Sequence, residues 1–363
     1  MVIGLVFGGP SVEHDISLIT ASQIYASIDK KKYTILPIYY SKNKTFHIFK
    51  KMPSIRELSG GIKLSEEVTI NRLGAKKGGK FGKIISLDCV VGAFHGKNTE
   101  GGELAGFFET LGIPYSFNSV LGASIGQDKI IMKKVLKNDQ ISILPFVSFS
   151  SKEFKENEHK IIEEINELKY PIIIKPSMLG SSIGIKKIND ESELKKAINN
   201  ALKYDDFIIV EKALENYREF NCAIIENLLS DIEEVVVNND IFTFEDKYQT
   251  KESKHILPAE ISIELQDEIY DLTVKTSNSL RNESIARIDF LYDNNEKKLY
   301  VDEINTIPGA LAYYLFESKG IYFDELLDKL INLTMKRDYK KKLLLNHFNS
   351  NVLNNQNGLK MKK

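Results

Sequence analysis

The sequence predicts an α/β unit followed by two α+β units, and three observations carry that expectation. The chain opens with an apolar strand, a glycine-rich turn and a helical pattern, which is the start of a βαβ unit. Strand-like and helix-like runs then alternate between about residues 129 and 211 around the loop PSMLGSSIG. Late in the chain two apolar, period-2 runs carry Arg287 and Asp289 in ARIDF, and Glu303 and Asn305 in VDEINTIPG. Each of these pairs therefore shares one face of a strand.

In chain order, residues 2–7 are a strand, GGPSVEHD a turn, and residues 16–28 a helix with apolar Ile16, Ile19, Ile24 and Ile28; residues 35–40 are the next strand. Residues 46–84 read as an insertion of hairpins or loops, because weak alternation is broken by SGG and GAKKGGKFG. That Lys/Gly cluster lacks the flanking strand and helix of a phosphate loop and reads as solvated. The strand 89–94 ends at His95-Gly96 and passes through Glu100, Gly101 and Gly102 into a helix over 104–111. In such folds the loops at strand C-termini form the ligand crevice, which places Glu13 and His95 there.

After Pro114 the pattern gives a helix over 129–136, a strand over 146–149, a helix over 159–168 and a strand over 172–175. A strand over 185–188, a helix over 191–202 and a strand over 207–211 complete the second unit. The third has strands at 220–225, 232–237, 285–292 and 299–304. The expected domains are 1–117, 118–211 and 212–345, with 346–363 a loose polar tail.

Composition narrows the function. With 42% hydrophobic and 27% charged residues and a net charge of -1, no global field favours nucleic acid. Cys89 and Cys222 lie in apolar runs and read as buried thiols in a reducing compartment. The N-terminus lacks a basic signal-like region and no run of about 18 apolar residues occurs, so no membrane span and a cytoplasmic location are expected.

The charged motifs point to nucleotide chemistry. Asp289, Glu303 and Asn305 supply oxygen ligands for a hard cation, and Mg²⁺ on a few carboxylates usually accompanies phosphates. Arg287 and Asp289 alone would fit a surface ion pair. Their apolar flanks and the Pro308-Gly309 turn favour the cation, since a buried charge cluster needs a counterion. Lys175 ends an apolar strand and either snorkels or faces an anion. It leads into Gly180, Ser181, Ser182 and Gly184, whose N–H groups suit an anion. The run FIIVEKAL leaves one unit for the next, and can offer Glu211, the Lys212 carbonyl and the Leu214 amide to an adenine edge, with Glu219 for the ribose. A charged strand end is the plainer explanation there.

Six motifs in sequence, GGPSVEHDIS, AFHGKNTEGG, KPSMLGSSIG, FEDKY, ARIDF and EINTIPG, resemble those of the ATP-grasp superfamily. Specifically, they are similar to the D-alanine:D-alanine ligases of bacterial cell-wall synthesis, over roughly residues 2–340. The resemblance implies a three-domain ATP-grasp fold with an N-terminal Rossmann-like domain. It also implies ATP-dependent ligation of two D-alanine molecules through an acyl phosphate, for peptidoglycan precursors. Lys129 and Lys175 would hold ATP phosphates, Lys247 the transferring phosphate, Glu211 the adenine amino group and Glu219 the ribose. Asp289, Glu303 and Asn305 would hold two Mg²⁺ (or Mn²⁺) ions.

The first D-alanine would set its ammonium against Glu13, ordered by Ser181 and Tyr248. Arg287 and the Gly309 N–H would stabilise the oxyanion, and His95 would orient or deprotonate the second D-alanine. The loop around Ser181 and a flap over about 238–257 would exclude water. Two departures stand out: Gly101 replaces an acidic residue, and Tyr314-Leu315 falls where the family has Ser-Leu at the second substrate's carboxylate. Tyr248 favours D-alanine over D-lactate or D-serine as nucleophile. A non-catalytic ATP-grasp binding protein would carry eroded metal carboxylates or lack Arg287, and neither is the case. An oxidoreductase is disfavoured because GGPSVE is not G-x-G-x-x-G. The resemblance implies a homodimer.

Overall fold

A computed structural model describes residues 1–59, 65–79, 82–181, 183–236 and 254–345. The first unit holds β1 (Val2–Gly8), α1 (His14–Ser27), β2 (Thr34–Tyr40), β3 (Phe46–Ile48), α2 (Ile55–Ser59), β4 (Glu66–Asn71), β5 (Gly74–Lys77), β6 (Ile84–Ile85), β7 (Cys89–Ala93) and α3 (Glu103–Leu111). Its sheet runs β6-β5-β4-β3-β2-β1-β7, with β1 parallel to both β2 and β7. From Ile3 onward β1 is buried, as expected of a central parallel strand covered on both faces. The insertion at 46–84 folds as antiparallel strands on the β2 edge of that sheet.

Next come α4 (Val120–Gln127), α5 (Lys129–Asn138), β8 (Phe146–Ser150), α6 (Ser151–Asn166), β9 (Ile172–Pro176), β10 (Lys186–Ile188), α7 (Leu194–Ala201) and β11 (Phe207–Lys212). The second sheet is antiparallel, in the order β10-β9-β11-β8. Helix α6 starts eight residues before the periodicity at 159–168 suggests. A capping box between Ser150 and Glu153 nucleates it, and Asn157 at φ -134° marks a kink before the apolar half.

The last unit contains β12 (Tyr217–Ile225), β13 (Leu228–Val236), β14 (Lys254–Ile256), α8 (Ile263–Ser279), β15 (Ala286–Asp293), β16 (Lys298–Asn305), α9 (Tyr313–Glu317) and α10 (Phe323–Lys342). Its sheet order is β14-β13-β12-β15-β16. The sequence pattern does not mark helices α8 and α10, because their apolar stripes are narrow beside long polar faces.

Two shared cores fix how the parts meet. Met132 and Leu136 of α5 pack with Phe220, Ile288 and Val301, so this helix is seated on the third sheet. Phe7 and Phe94 of the first unit belong to one core with Ala223, Leu311, Leu315, Phe316 and Leu330. That continuity holds the loops after β1 and β7 against the loop after β16. Cys89 and Cys222 are buried free thiols. Among the described residues, no helix is long and apolar enough to cross a membrane.

Candidate active site

A cleft of about 560 Å³ lies where the three units converge. Its first wall comes from the turns after β1 and β7. Glu13, directly before α1, is buried and accepts a hydrogen bond from the Ser181 hydroxyl. Ser181 sits at φ 52°, a left-handed conformation that aims its side chain back at Glu13. Gly96, at φ +79°, lets its loop pass so close that any Cβ would collide with the Glu13 carboxylate.

His95 is buried, with Nε2 2.9 Å from Thr20 Oγ1, and its own N–H donates to Ser17 Oγ at 3.1 Å. Burial pushes its imidazole down to about 4 against the opposing pull of the Ile307 backbone, so the ring is neutral at pH 7. The Ala310 N–H also donates to Thr20 Oγ1, at 3.2 Å. Glu100 ties the same two loops together, accepting from the Gly96 N–H at 3.0 Å, the Ile307 N–H at 2.9 Å and Thr306 Oγ1 at 3.1 Å. Burial, helped by the nearby Glu13 charge, raises its carboxyl to about 7 despite those hydrogen bonds.

The floor is the third sheet. Register sets Arg287 opposite Asn305 and Asp289 opposite Glu303. Arg287 grips Asp289 with two 2.7 Å hydrogen bonds, and Asn305 Nδ2 donates to Asp289 Oδ2 at 2.9 Å. On the next strands Glu233 accepts from Asn221 Nδ2 at 3.0 Å and Tyr314 Oη at 3.1 Å, with His255 Nδ1 at 2.8 Å. Burial opposes ionisation of Glu233, but the His255 and Asn221 hydrogen bonds prevail and hold its carboxyl below the usual range. The same contact raises His255.

The remaining wall is a lattice of lysines and carboxylates. Asp128 caps α5 by accepting from the Ile130 and Ile131 N–H groups, which fixes Lys129 in the first turn. Lys129 Nζ donates to the Leu179 carbonyl at 2.8 Å and lies 3.3 Å from Glu303. One turn on, Lys133 Nζ stands 2.5 Å from Glu211 Oε1, while Lys175 Nζ stands 2.7 Å from Glu211 Oε2 and 3.1 Å from Asp302 Oδ1. Beside them a smaller hollow is lined by Ile173, Glu211, Lys212, Leu214 and Leu291.

Known proteins match this chain almost end to end. The family model for the D-ala D-ala ligase N-terminus matches residues 2–116, and that for the D-ala D-ala ligase C-terminus residues 135–332. A D-alanine--D-alanine ligase of Thermosipho africanus is 37% identical over 354 residues, covering 94% of this chain and 95% of the relative. One from Staphylococcus epidermidis is 32% identical, covering 94% and 96%. The chain belongs to the D-alanine–D-alanine ligase family.

Among solved structures, the VanG D-Ala:D-Ser ligase from Enterococcus faecalis superposes with a TM-score of 0.80 at 29% identity, covering 92% of this chain and 99% of that one. The D-alanine-D-alanine ligase from Coxiella burnetii, at a TM-score of 0.81 and 24% identity over 94% of this chain and 96% of that one, supports the ATP-grasp fold alone.

Of the ligase-family residues expected from the motifs, Glu13, His95, Lys129, Ser181, Glu219, Arg287, Asp289, Glu303, Asn305, Gly309 and Tyr314 all border the main cleft. Lys175, Glu211, Lys212 and Leu214 border the smaller hollow. Leu315 buries its side chain in the core beneath. Ser182, Lys247 and Tyr248 lie outside the described residues, as does most of the expected flap.

The structure also recruits residues to which the motifs assigned no role, namely Thr20, Glu100, Lys133, Glu233 and Asp302. A signal existed for Lys133, which falls in the same stripe of α5 as buried Ile130 and Met132. None existed for Asp302. Strict alternation turns it away from Glu303, but the register of β15 and β16 shifts between Asp289 and Phe290, and this bulge aims it at the lysines.

Asp289, Glu303 and Asn305 fit a hard divalent cation: two carboxylates face each other in register, and the Asn305 amide needs only a half-turn to present its oxygen.

Proposed function

We propose that this chain joins two D-alanine molecules into D-alanyl-D-alanine at the expense of ATP, through an acyl phosphate, in making peptidoglycan precursors. The observation that carries this reading is the pairing of opposite charges across one cleft. Glu13, held by Ser181, suits an amino acid's ammonium, and Arg287 suits its carboxylate or the oxyanion that forms from it. Lys129 and Lys175 are the cations placed to take phosphate oxygens, and both now lean on carboxylates that anionic phosphates would displace.

Asp289, Glu303 and Asn305 would hold Mg²⁺ or Mn²⁺, which spreads the negative charge of a triphosphate. Glu13 orients the first amino acid so that its carboxylate faces the γ-phosphate. Phosphoryl transfer to that carboxylate would release ADP. The amine of the second amino acid then attacks the acyl-phosphate carbonyl, Arg287 with the Gly309 N–H receives the developing oxyanion, and inorganic phosphate leaves as the peptide bond forms. Neutral His95, braced by Thr20, lines the cleft and would orient that amine through a hydrogen bond. The proposal extends to a cytoplasmic homodimer, with light scattering as the check on assembly.

A second reading is supported by the likeness to VanG and by the polar Tyr314–Glu233–His255 end of the cleft, which could hydrogen-bond a seryl hydroxyl. Mass spectrometry of the product from ATP, Mg²⁺ and equimolar D-alanine and D-serine separates the two. D-alanyl-D-alanine as the main product supports the proposal, D-alanyl-D-serine favours the second reading, and no dipeptide with either ends both.

A further inference from the structure

Lys133, Glu211, Lys175 and Asp302 form a closed ring of alternating charge. Lys133 and Lys175 flank the two oxygens of Glu211 at 2.5 and 2.7 Å, and both approach Asp302 Oδ1, at 3.7 and 3.1 Å. The ring is neutral and deep: the side chains of Lys133 and Glu211 are 0% and 1% exposed. Its two cations are not equivalent. Lys175 reaches the hollow beside Glu211, whereas Lys133 is sealed beneath and can reach no ligand.

We propose that Lys133 is the positioning residue for nucleobase selection: it keeps Glu211 paired and aimed at the base edge when Lys175 turns to the phosphates. This rests on the reading that Glu211 faces the adenine amino group. A nucleotide that draws Lys175 away leaves Glu211 with one counterion, and an unpaired buried carboxylate is costly. Because Lys133 cannot follow the phosphates, it holds Oε1 in place and leaves Oε2 to the base. An ionised carboxylate only accepts hydrogen bonds. It therefore pairs with the exocyclic amine of adenine and opposes the 6-oxo group of guanine, acceptor against acceptor.

The test is the Lys133→Met variant, compared with the unmutated enzyme using ATP and purine riboside triphosphate, which lacks the 6-amino group. The unmutated enzyme is expected to favour ATP by on the order of ten- to a hundred-fold in KM, the range for a hydrogen bond to a charged group. In Lys133→Met that preference collapses towards unity, the loss falling on the KM for ATP while the KM for the analogue moves little. Equal weakening of both nucleotides, or an undiminished preference for ATP, overturns the proposal alone. Absence of any preference in the unmutated enzyme overturns the placement of Glu211, and the proposal with it.

Should Lys133→Met not fold, the Lys133→Met/Glu211→Gln double variant removes both charges of the pair. Its amide both donates and accepts, so it is expected to use ATP and GTP with similar KM. A retained preference for ATP overturns the placement of Glu211, and the proposal with it.

Discussion

The two walls of the cleft handle charge in opposite ways. On the proposed nucleotide side Lys129, Lys133 and Lys175 are paired with Glu303, Glu211 and Asp302, so cation meets anion directly. On the proposed amino-acid side Glu13, His95 and Glu100 are held by neutral donors and acceptors: Ser181 on Glu13, Thr20 on His95, and backbone N–H groups on Glu100. Arg287 stands between the two regimes, paired with Asp289 but lining the main cleft. The lesson is that charges suited to a polyanion can be stored on carboxylate counter-charges, whereas a zwitterion needs charges fixed in place by hydrogen bonds. Burial suits the second arrangement, holding His95 neutral and lifting Glu100 to about 7.

The largest test of this contrast is Arg287→Met. Removing the cation at the boundary is expected to lower kcat/KM for dipeptide formation roughly a thousand-fold, at the upper end for losing one oxyanion donor; coupled ADP release measures it. A fall under about ten-fold would show that Arg287 serves Asp289 and not the reaction. Next, Glu13→Gln keeps the shape and removes the fixed charge. The KM for the first D-alanine should rise about a hundred-fold, the scale for breaking a buried charge pair, while the KM for ATP stays nearly constant. Equal changes in both would erase the distinction between the walls.

Tyr314→Phe deletes one donor to Glu233 and leaves those from Asn221 and His255. The KM for the second amino acid is expected to shift by about three- to ten-fold, with D-serine affected at least as much as D-alanine. An unchanged KM for both would place Tyr314 outside the second subsite.

The smallest effect is a pair of slopes that cancel. Glu100 titrates at about 7 in the folded chain against an ordinary 4.5, so the native state holds the extra proton between those values, and stability falls as pH rises through them. His95 titrates at about 4 against 6.5, so the unfolded chain holds the extra proton there, and stability rises with pH. Between pH 4.5 and 6.5 the two contributions oppose one another. Urea unfolding across that range should therefore show Glu100→Gln gaining stability as pH rises and His95→Asn losing it. Parallel slopes in the two variants would contradict the burial of one or both groups.

Much of the site was legible in the residues themselves. Strand alternation placed Arg287 with Asp289 and Glu303 with Asn305, and the register confirms the two pairs as cross-strand neighbours. The turn after β1 and the strand end at Lys175 were readable because glycine and an isolated charge interrupt apolar runs. Lys133 gave only a faint signal, its place in the apolar stripe of α5, since a lysine on a helix ordinarily means solvent and its burial against Glu211 decides otherwise. Glu233 has no signal in the local pattern, because its partners Asn221, His255 and Tyr314 come from three other elements.

By itself the sequence determined the order of units, the family and the side chains that could meet substrate charges, because local periodicity and short motifs are properties of neighbouring residues. Tertiary structure alone decided that the first unit and the end of the third share a core, and that a bulge turns Asp302 onto two lysines. It also decided that the Tyr314 hydroxyl goes to a carboxylate. Those outcomes depend on long-range packing and on a one-residue slip in strand register. Either can reverse the direction of a side chain without altering a single residue of the pattern around it.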